Sequence, residues 1–502
     1  MQNMKSTLRL LSVGLLALAV SACSAQQSAV NGQEGVNAVN DGDTQGGGSE
    51  QVVLQVMDWS DSSKAIREQF NKQFVEKYPN IKVQYTQLTI DQFNNTVLTA
   101  IQAGEAPDLF PVPSTMKLST AVAQGWFQPL DDYIDEEFKS AFVDGTFTEG
   151  TTVKDGKIYS IPEGQSLPTT LVFYNKKLFK EAGLDPENPP KTYTEFREAA
   201  KRITEAGKGS YYGIVEGGKQ AGRWTSAIQD GSSLAGSGLT ASSPVSLVTN
   251  ETSYDSKPVT ELFRLFQGIA EDGSYHPQTA AITAPEARAL FAQGQAGFIV
   301  QGAWNVGVWN SNASDLDYGV MAPPLPDSGR VGSLPLYGSQ PWIGLSAKSK
   351  HPAEAALYLK ELYTGGYYQE QFVEKGIGFS VVKGVNENHI KMPQLEKYYE
   401  IAKEYGRIVP NPIVRNAQTA EVFAAFKDVH PNAGELLAAV VSGALKDPEA
   451  SLSKLSGQLG EAWGAAIKTA KAKGTNVSAE DFIFSNWKLL EDYTAEDYQS
   501  LP

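Results

Sequence analysis

The sequence predicts an α/β protein with two lobes, and three observations lead to this prediction. At 502 residues the chain is too long for one ordinary hydrophobic core, so more than one core is expected. Segments typical of strands alternate with segments typical of helices within residues 51–85, and the alternation returns after residue 190. Strand–helix–strand units imply parallel sheets that are covered by helices.

The first unit begins with a run of strand-forming residues at positions 51–57. A helix is predicted next, because apolar residues recur at helical spacing until Pro79 ends the pattern. A second strand follows over residues 81–85, where apolar and polar residues alternate. The next helix ends at Gly104, and a short strand is predicted at Leu109 and Phe110.

The same alternation predicts later elements. Helices are expected over residues 196–203, 259–269 and 352–363, the last beginning at Pro352, a residue favoured in the first turn of a helix. A strand is expected at residues 298–300. Ligands of open α/β sheets bind in loops at the carboxyl ends of the strands, so with two such lobes we expect the binding site in the cleft between them.

Composition and charge exclude several classes of function. The chain is 41% hydrophobic and 20% charged, as in soluble folded proteins, and its net charge of −15 repels phosphate backbones, so no nucleic-acid partner is expected. Its one cysteine, Cys23, cannot form an internal disulfide or a cysteine-based metal site. The sequence also lacks the common serine-hydrolase and zinc-protease motifs, and we expect no metal or organic cofactor.

The N-terminal residues have the layout of a secretion signal. Lys5 and Arg9 precede an apolar run over residues 10–20, which is shorter than the roughly 20 residues that span a bilayer. The following residues, up to Cys23, resemble a bacterial lipobox, which implies that residues 1–22 are removed and that Cys23 is acylated, for example by palmitate. An ordinary signal peptide with a chance cysteine is the alternative. Residues 23–50 are rich in Gln, Asn, Gly and Ser, so we predict a flexible linker.

Five stretches of the remaining chain resemble motifs of the family 1 extracellular solute-binding proteins, the family of maltose-binding protein. They follow one another in the order expected for that family: residues 103–109 (AGEAPDL), 156–162 (GKIYSIP), 174–192 (YNKK, AGL and PKT), 291–304 (FAQGQAG and GAW) and 344–356 (GLS and KHPAEAA). Each motif is weak alone, but together they span most of residues 51–380.

This resemblance implies a two-lobed periplasmic-binding-protein-like fold of type II, with the ligand cleft between the lobes. By resemblance, the first lobe takes residues 51–164 and 325–380, and the second takes residues 165–324 and 381–502. It further implies a monomer that captures a carbohydrate, most simply an oligosaccharide, and delivers it to the permease subunits of an ABC importer. The predicted location is the outer face of the cell membrane, held by the lipid on Cys23.

A pyranose ring has apolar C–H faces and a rim of hydroxyls, so its site requires aromatic platforms together with planar polar groups. The residues predicted to contact such a ligand follow strands, flank the presumed crossings between the lobes or match family motifs: Trp304, Trp342, Trp59, Trp224, Asp58, Glu163, Gln165, Tyr174, Asp108 and Arg223. Trp224 and Arg223 lie in a stretch interpreted as a loop. For Tyr174 a packing role, and for Asp108 a capping role, are equally compatible with the sequence.

Two other functions remain open at this stage. An extracellular lipoprotein enzyme that acts on polysaccharide would need two facing carboxylates, which a sequence with 57 acidic residues cannot exclude. A binding protein for a non-sugar solute is the second alternative. The abundance of Trp and Tyr favours a sugar over a cation.

Overall fold

The computed structural model describes residues 51–114, 116–240, 243–337 and 340–501. The predicted signal peptide, the predicted linker and Cys23, the predicted site of acylation, lie outside the described residues. Within the described ranges, strands and helices alternate as the sequence predicts for an α/β protein.

The strands are short, and several follow or precede a helix directly. They are β1 (Val52–Asp58), β2 (Ile81–Gln87), β3 (Leu109–Pro111), β4 (Val153–Lys154), β5 (Lys157–Ile158), β6 (Leu171–Asn175), β7 (Tyr212–Ile214), β8 (Ala296–Gln301), β9 (Tyr318–Met321), β10 (Leu334–Leu336), β11 (Ile343–Leu345) and β12 (Gly406–Ile408).

The helices between them are α1 (Lys64–Lys77), α2 (Ile90–Ala103), α3 (Leu118–Ala123), α4 (Glu136–Ser140), α5 (Lys176–Glu181), α6 (Tyr193–Gly207), α7 (Ala221–Leu234), α8 (Lys257–Glu271), α9 (Ala284–Ala292), α10 (Trp304–Asn312), α11 (Pro352–Thr364) and α12 (Tyr367–Glu374). The C-terminal part continues with α13 (Val385–His389), α14 (Pro393–Tyr405), α15 (Pro412–Arg415), α16 (Thr419–Ala425), α17 (Ala433–Val441), α18 (Pro448–Ala472) and α19 (Ala495–Gln499).

The predicted helices are confirmed, and capping residues determine where several of them begin and end. Helix α2 begins with a capping box at Thr89 and ends at Gly104, whose φ of 76° is a left-handed conformation that glycine adopts without steric cost. Helix α6 has the same device at Thr192. The stretch around Trp224 is helical rather than a loop, because it forms part of α7. That loop interpretation was wrong.

The first sheet has the strand order β11-β3-β1-β2. Strands β1 and β2 are parallel over their whole length, and β3 is parallel to β1. Strand β11 is antiparallel to β3, with Ile343 opposite Pro111. One face packs on α1 and α11 through a core that includes Leu54, Phe70 and Tyr358. A smaller cluster around Phe93 and Phe110 packs on α2 and α3.

The second sheet has the order β7-β8-β6-β9. Its strand β6 is antiparallel to both neighbours, whereas β7 and β8 are parallel. Buried residues of α6, α7, α8, α17 and α18 cover one face, and those of α9, α10 and α14 cover the other. Each sheet therefore has its own hydrophobic core, as expected for two lobes.

Two segments connect the sheets and define the position of the site. The chain leaves the first sheet after Ile161, which pairs with Ile343, and enters the second sheet at β6. It returns between β10 and β11. Strand β10 pairs with β12, and the Val331 amide donates to the Leu234 carbonyl, so residues 331–336 contact the second sheet's helices. The lobe boundaries remain a prediction, and we propose from these contacts that the return crossing begins after Leu336.

Two further findings concern the described ranges only. None of their helices is both long and apolar enough to cross a bilayer. They also hold no group of three or more His, Cys, Asp or Glu side chains positioned to share a metal ion.

The packing of Gly319 on β9 yields a stability prediction. A Cβ at this position would overlap the ring of Tyr174, whose hydroxyl donates to the Pro186 carbonyl at 2.7 Å. We expect Gly319→Ala to lower the free energy of unfolding by roughly 1–3 kcal/mol, because overpacking a core forces side chains out of place. Urea unfolding followed by circular dichroism measures this change.

Gly464→Ala is the matched control, because Gly464 lies in α18 with no atom near its absent Cβ. An alanine in a helix interior is favoured over glycine by about 0.5–1 kcal/mol, so this variant should be slightly more stable. Equal effects of the two substitutions would contradict the packing described for Gly319.

Candidate functional site

A cleft of about 390 Å³ lies where the two connecting segments pass between the sheets. Such a volume falls within the range of small-molecule sites, roughly 300–1,000 Å³. The cleft is lined by residues that follow β1, by both connecting segments, by the start of α10 and by α12 and α14. Among these residues are Trp59, Asp61, Glu163, Gln165, Trp304, Tyr337, Gln340, Trp342, Phe379 and Tyr398.

Tryptophans form both walls of this cleft. Trp59 directly follows β1, and Trp342 directly precedes β11, so the register of the first sheet brings their rings together. The ring centroids lie 4.5 Å apart at an interplanar angle of 78°, an edge-to-face arrangement. The Trp342 Nε1–H is buried and has no hydrogen-bond partner among the described residues. This donor is therefore buried beneath the cleft surface rather than presented on it.

Trp304 belongs to the other wall. It follows β8 and is the first residue of α10, so the strand end and the helix start fix its backbone. Its ring lies against the Cα of Gly302, where any Cβ would overlap it. Glycine is therefore required at position 302, because only glycine leaves the space that the half-buried ring of Trp304 occupies.

The connecting segment 163–165 supplies polar groups. The Glu163 carboxylate accepts a hydrogen bond from the Ser63 hydroxyl at 3.1 Å. The Gln165 side-chain oxygen accepts one from the Asn386 amide at 3.0 Å, while its backbone amide donates to Phe379. These contacts hold both side chains at the cleft surface, and the NH₂ group of Gln165 is left to donate.

A buried ion pair lies behind the wall that carries Trp59. Arg67 of α1 is fully buried, and its guanidinium lies 3.8 Å from the Asp58 carboxylate and 4.4 Å from the ring centroid of Tyr368. It also donates to the Tyr368 hydroxyl at 3.1 Å. Asp58 accepts from the Tyr85 hydroxyl and from the Ser60 amide. These contacts connect the end of β1 with α1, β2 and α12.

Burial raises the pKa values of two acids in this cluster. It raises the pKa of Glu163 to about 7, and the nearby charge of Asp58 acts in the same direction, while Arg67 and the Ser60 and Ser63 hydrogen bonds oppose it. Burial also raises the pKa of Asp58, with Arg67 opposing. Glu163 therefore changes charge near neutral pH, at the cleft surface.

Five of the ten predicted contact residues meet in the cleft: Trp59, Glu163, Gln165, Trp304 and Trp342. The other five have partners elsewhere. Asp58 is buried against Arg67, and the two carboxylate oxygens of Asp108 accept from the Gln55 amide and the Ser349 hydroxyl.

The remaining three residues lie at the second sheet and its helices. Tyr174 packs on Gly319. Trp224 is buried in α7 and donates to the Gly218 carbonyl, and Arg223 pairs with Glu216 at 3.0 Å. Burial raises the pKa of Glu216, while Arg223 opposes this shift. We therefore propose ligand contacts only for the five residues in the cleft.

Several cleft residues gave no signal in the sequence. Tyr337, Gln340, Phe379 and Tyr398 come from a connecting segment, a loop and a helix, and no periodicity or motif marks them. Asp230 of α7 is a further half-buried carboxylate close to Tyr398, and burial raises its pKa to about 7. A single acid in an amphipathic helix cannot be distinguished from a solvated one without the fold.

The raised pKa of Glu163 predicts a dependence of stability on pH. Its pKa of about 7 lies above the ordinary value of 4.5, so the folded state disfavours the charged form. The associated stability is present below about pH 4.5 and is lost as the pH rises through about 7. Glu163→Gln has no charge, so wild type should lose more stability than this variant between about pH 4.5 and about pH 8.

Urea unfolding at both pH values measures this difference. Glu198→Gln is the matched control, because Glu198 is exposed on α6 and lies outside the cleft lining, so this variant should follow the pH dependence of wild type. A constant offset between wild type and Glu163→Gln across the pH range would contradict the burial of an ionising Glu163.

Comparison with known proteins places this architecture in a family. Residues 59–369, more than half of the chain, match the sequence profile of the bacterial extracellular solute-binding proteins. A Brucella abortus (strain 2308) protein named as a binding protein is 28% identical over 321 residues, which are 62% of this chain and 72% of the relative. The sn-glycerol-3-phosphate-binding periplasmic protein of Agrobacterium fabrum is 26% identical over 258 residues, 48% of this chain and 51% of that protein.

Solved structures share the fold at low sequence identity. The GacH receptor of Streptomyces glaucescens aligns with a TM-score of 0.64 and 19% identity, over 83% of this chain and 99% of the receptor. The maltose/maltodextrin-binding domain of Bdellovibrio bacteriovorus aligns with a TM-score of 0.61 and 20% identity, over 82% of this chain and 99% of that domain. The predicted type II, two-lobed fold is thereby confirmed, and the chain belongs to the family of bacterial extracellular solute-binding proteins.

Proposed function

We propose that this protein binds an oligosaccharide in the cleft and delivers it to an ABC importer. One observation carries the proposal: the Trp59–Trp342 pair and Trp304 stand on opposite walls of a cleft whose connecting segment presents Glu163 and Gln165. Aromatic faces suit the C–H faces of a pyranose, and carboxylate and amide groups suit its hydroxyls.

The solved relatives support a sugar-like ligand. The GacH receptor is described in complex with acarbose, and the Bdellovibrio domain is bound to maltotriose. Both share the two-lobed fold with this chain. Their ligands identify a class of molecules to test here, and the residues of the present cleft determine which members fit.

Ligand capture then follows from a shift of population between open and closed forms. If a saccharide contacts both tryptophan walls only in the closed form, it binds that form more tightly than the open form. It then stabilises the closed form by the difference between the two binding free energies. The two connecting segments, residues 161–170 and the chain between β10 and β11, are the parts that such a motion would bend. No bond is made or broken, so the protein acts by binding alone.

The proposal includes the wider setting of the protein. We infer that Cys23 carries a lipid that holds the protein at the outer face of the cell membrane, with residues 24–50 as tether. The closed form would dock as a monomer on permease subunits of the importer, one lobe on each. ATP hydrolysis then belongs to other chains of the transporter.

The glycerol-phosphate-binding relative raises a second candidate ligand, an organic phosphate. The cleft argues against it. Its described lining includes the carboxyl groups of Asp61 and Glu163 but no Lys, Arg or His. A phosphate prefers charge-assisted hydrogen bonds from cationic groups, so a neutral sugar fits this lining better.

The proposed function is tested with gluco-, manno- and xylo-oligosaccharides, from disaccharide to octasaccharide, and with glycerol phosphate. A ligand bound only by the folded state must raise the melting temperature. We expect at least one saccharide to do so and to be recovered unchanged by chromatography. Release of shorter products would instead indicate an enzyme, and stabilisation by glycerol phosphate alone would favour the second candidate.

Trp304→Ala should weaken binding of the saccharide found in that screen by at least about tenfold, because it removes one aromatic wall. Isothermal titration calorimetry measures the change. Trp487→Ala is the matched control, since Trp487 lies near the C-terminus and packs beside Phe484 and Tyr493 rather than in the cleft. Equal loss of affinity in both variants would contradict the role of Trp304.

A further inference from the structure

A second chamber, of about 560 Å³, adjoins the cleft. Its wall includes the segments at Lys117 and Thr151 on the side of the first sheet, helix α7, and residues 409–433 of the C-terminal part. Residues near Pro244 and Tyr254, the return crossing and Leu459 complete it. Its lining includes Met116, Lys117, Thr151, Thr225, Gln229, Tyr254, Tyr337, Gln340, Asn411, Phe423, Phe426, Asp428 and Asn432.

The two cavities are adjacent, because Tyr337 and Gln340 line both. The wall at residues 409–433 lies beyond residue 369, where the match to the family profile ends. The second chamber is therefore built in part by a region that the family profile does not cover.

The lining of the second chamber shares aromatic rings and amides with the cleft, and it adds apolar side chains such as Leu118 and Ile413 and the charged Lys117 and Asp428. Phe423, Phe426 and Tyr254 supply aromatic surface, and Gln229, Asn411 and Asn432 supply amides. The Gln229 side chain makes no hydrogen bond to another described residue. Aromatic surface beside amide and charged groups suits the C–H faces and the hydroxyls of further sugar units.

Contacts across the chamber join the two sides of the molecule. The Lys117 ammonium lies 4.2 Å from the ring centroid of Phe423, a cation–π arrangement. At the nearby Gly150, a Cβ would lie 2.9 Å from the Ile413 side chain. A ligand in this chamber would thus touch the first-sheet side and the C-terminal part at once, which is what stabilises a closed form.

We propose that the second chamber is a continuation of the saccharide site and holds the units of an oligosaccharide that is too long for the first cleft. This inference rests on the proposed function. The protein should then bind longer saccharides more tightly than shorter ones, because each sugar unit beyond the first cleft gains contacts with residues 409–433.

The test uses the same saccharide series and the protein without residues that precede Cys23. For wild type, the dissociation constant should fall by at least about tenfold, roughly 1.4 kcal/mol, once the saccharide is long enough to reach the second chamber. Gln229→Trp places a large side chain in that chamber. It should abolish this gain for long saccharides and leave the affinity for the shortest binding saccharide unchanged.

Gln102→Trp is the matched control, because Gln102 is exposed on α2 and lines neither cavity. This variant should still bind long saccharides more tightly than short ones, as wild type does. A second variant, Lys117→Met, removes the ammonium from the chamber and keeps the proposal testable if Gln229→Trp does not fold. It should reduce the gain in affinity with saccharide length without affecting the affinity for the shortest saccharide.

The outcomes separate this proposal from the one on which it rests. If no saccharide of any length binds, the proposed function fails. If short saccharides bind while longer ones bind no better, or if Gln229→Trp weakens all lengths equally, the second chamber is not part of the site and only the further inference is overturned.

Discussion

The site depends on one buried guanidinium. Arg67 is taken fully out of water, and such a charge is tolerated only where partners compensate for its lost hydration. The Asp58 carboxylate and the hydroxyl and ring of Tyr368 supply part of that compensation, and these two residues bring β1 and α12 against Arg67 of α1. The cluster thereby fixes the strand end that precedes Trp59 and the environment of Glu163.

This arrangement places the tryptophan walls at the ends of strands and a helix and joins them by irregular segments. The tryptophans stand on strand ends and a helix start, where sheet register and close packing on Gly302 leave them little freedom. The residues between the walls belong to segments that join the sheets with few ladder hydrogen bonds. Platforms that are held in place by secondary structure let a binding protein receive its ligand without first reorganising its contact surface.

Much of the fold could be predicted because its signals are local. The spacing of Ile66, Phe70 and Phe74 and the stop at Gly104 are properties of neighbouring residues, and the structure has helices there. Trp59 was predicted to line the cleft because it follows a strand, and Trp304 because it also matches the family motif. The Arg67 pairing, the cleft face of Tyr398 and the helix that buries Trp224 depend on contacts between distant segments. Neither periodicity nor propensity reports such contacts, and five predicted contact residues therefore lie outside the cleft.

The central claim is that a saccharide lies between the two tryptophan walls. A crystal structure of the complex with the saccharide that most raises the melting temperature tests it most directly. The account predicts pyranose rings packed against Trp304 and the Trp59–Trp342 pair, with hydroxyls bonded to Glu163 or Gln165. Density for the sugar on any other surface, with the cleft filled only by water, would contradict it.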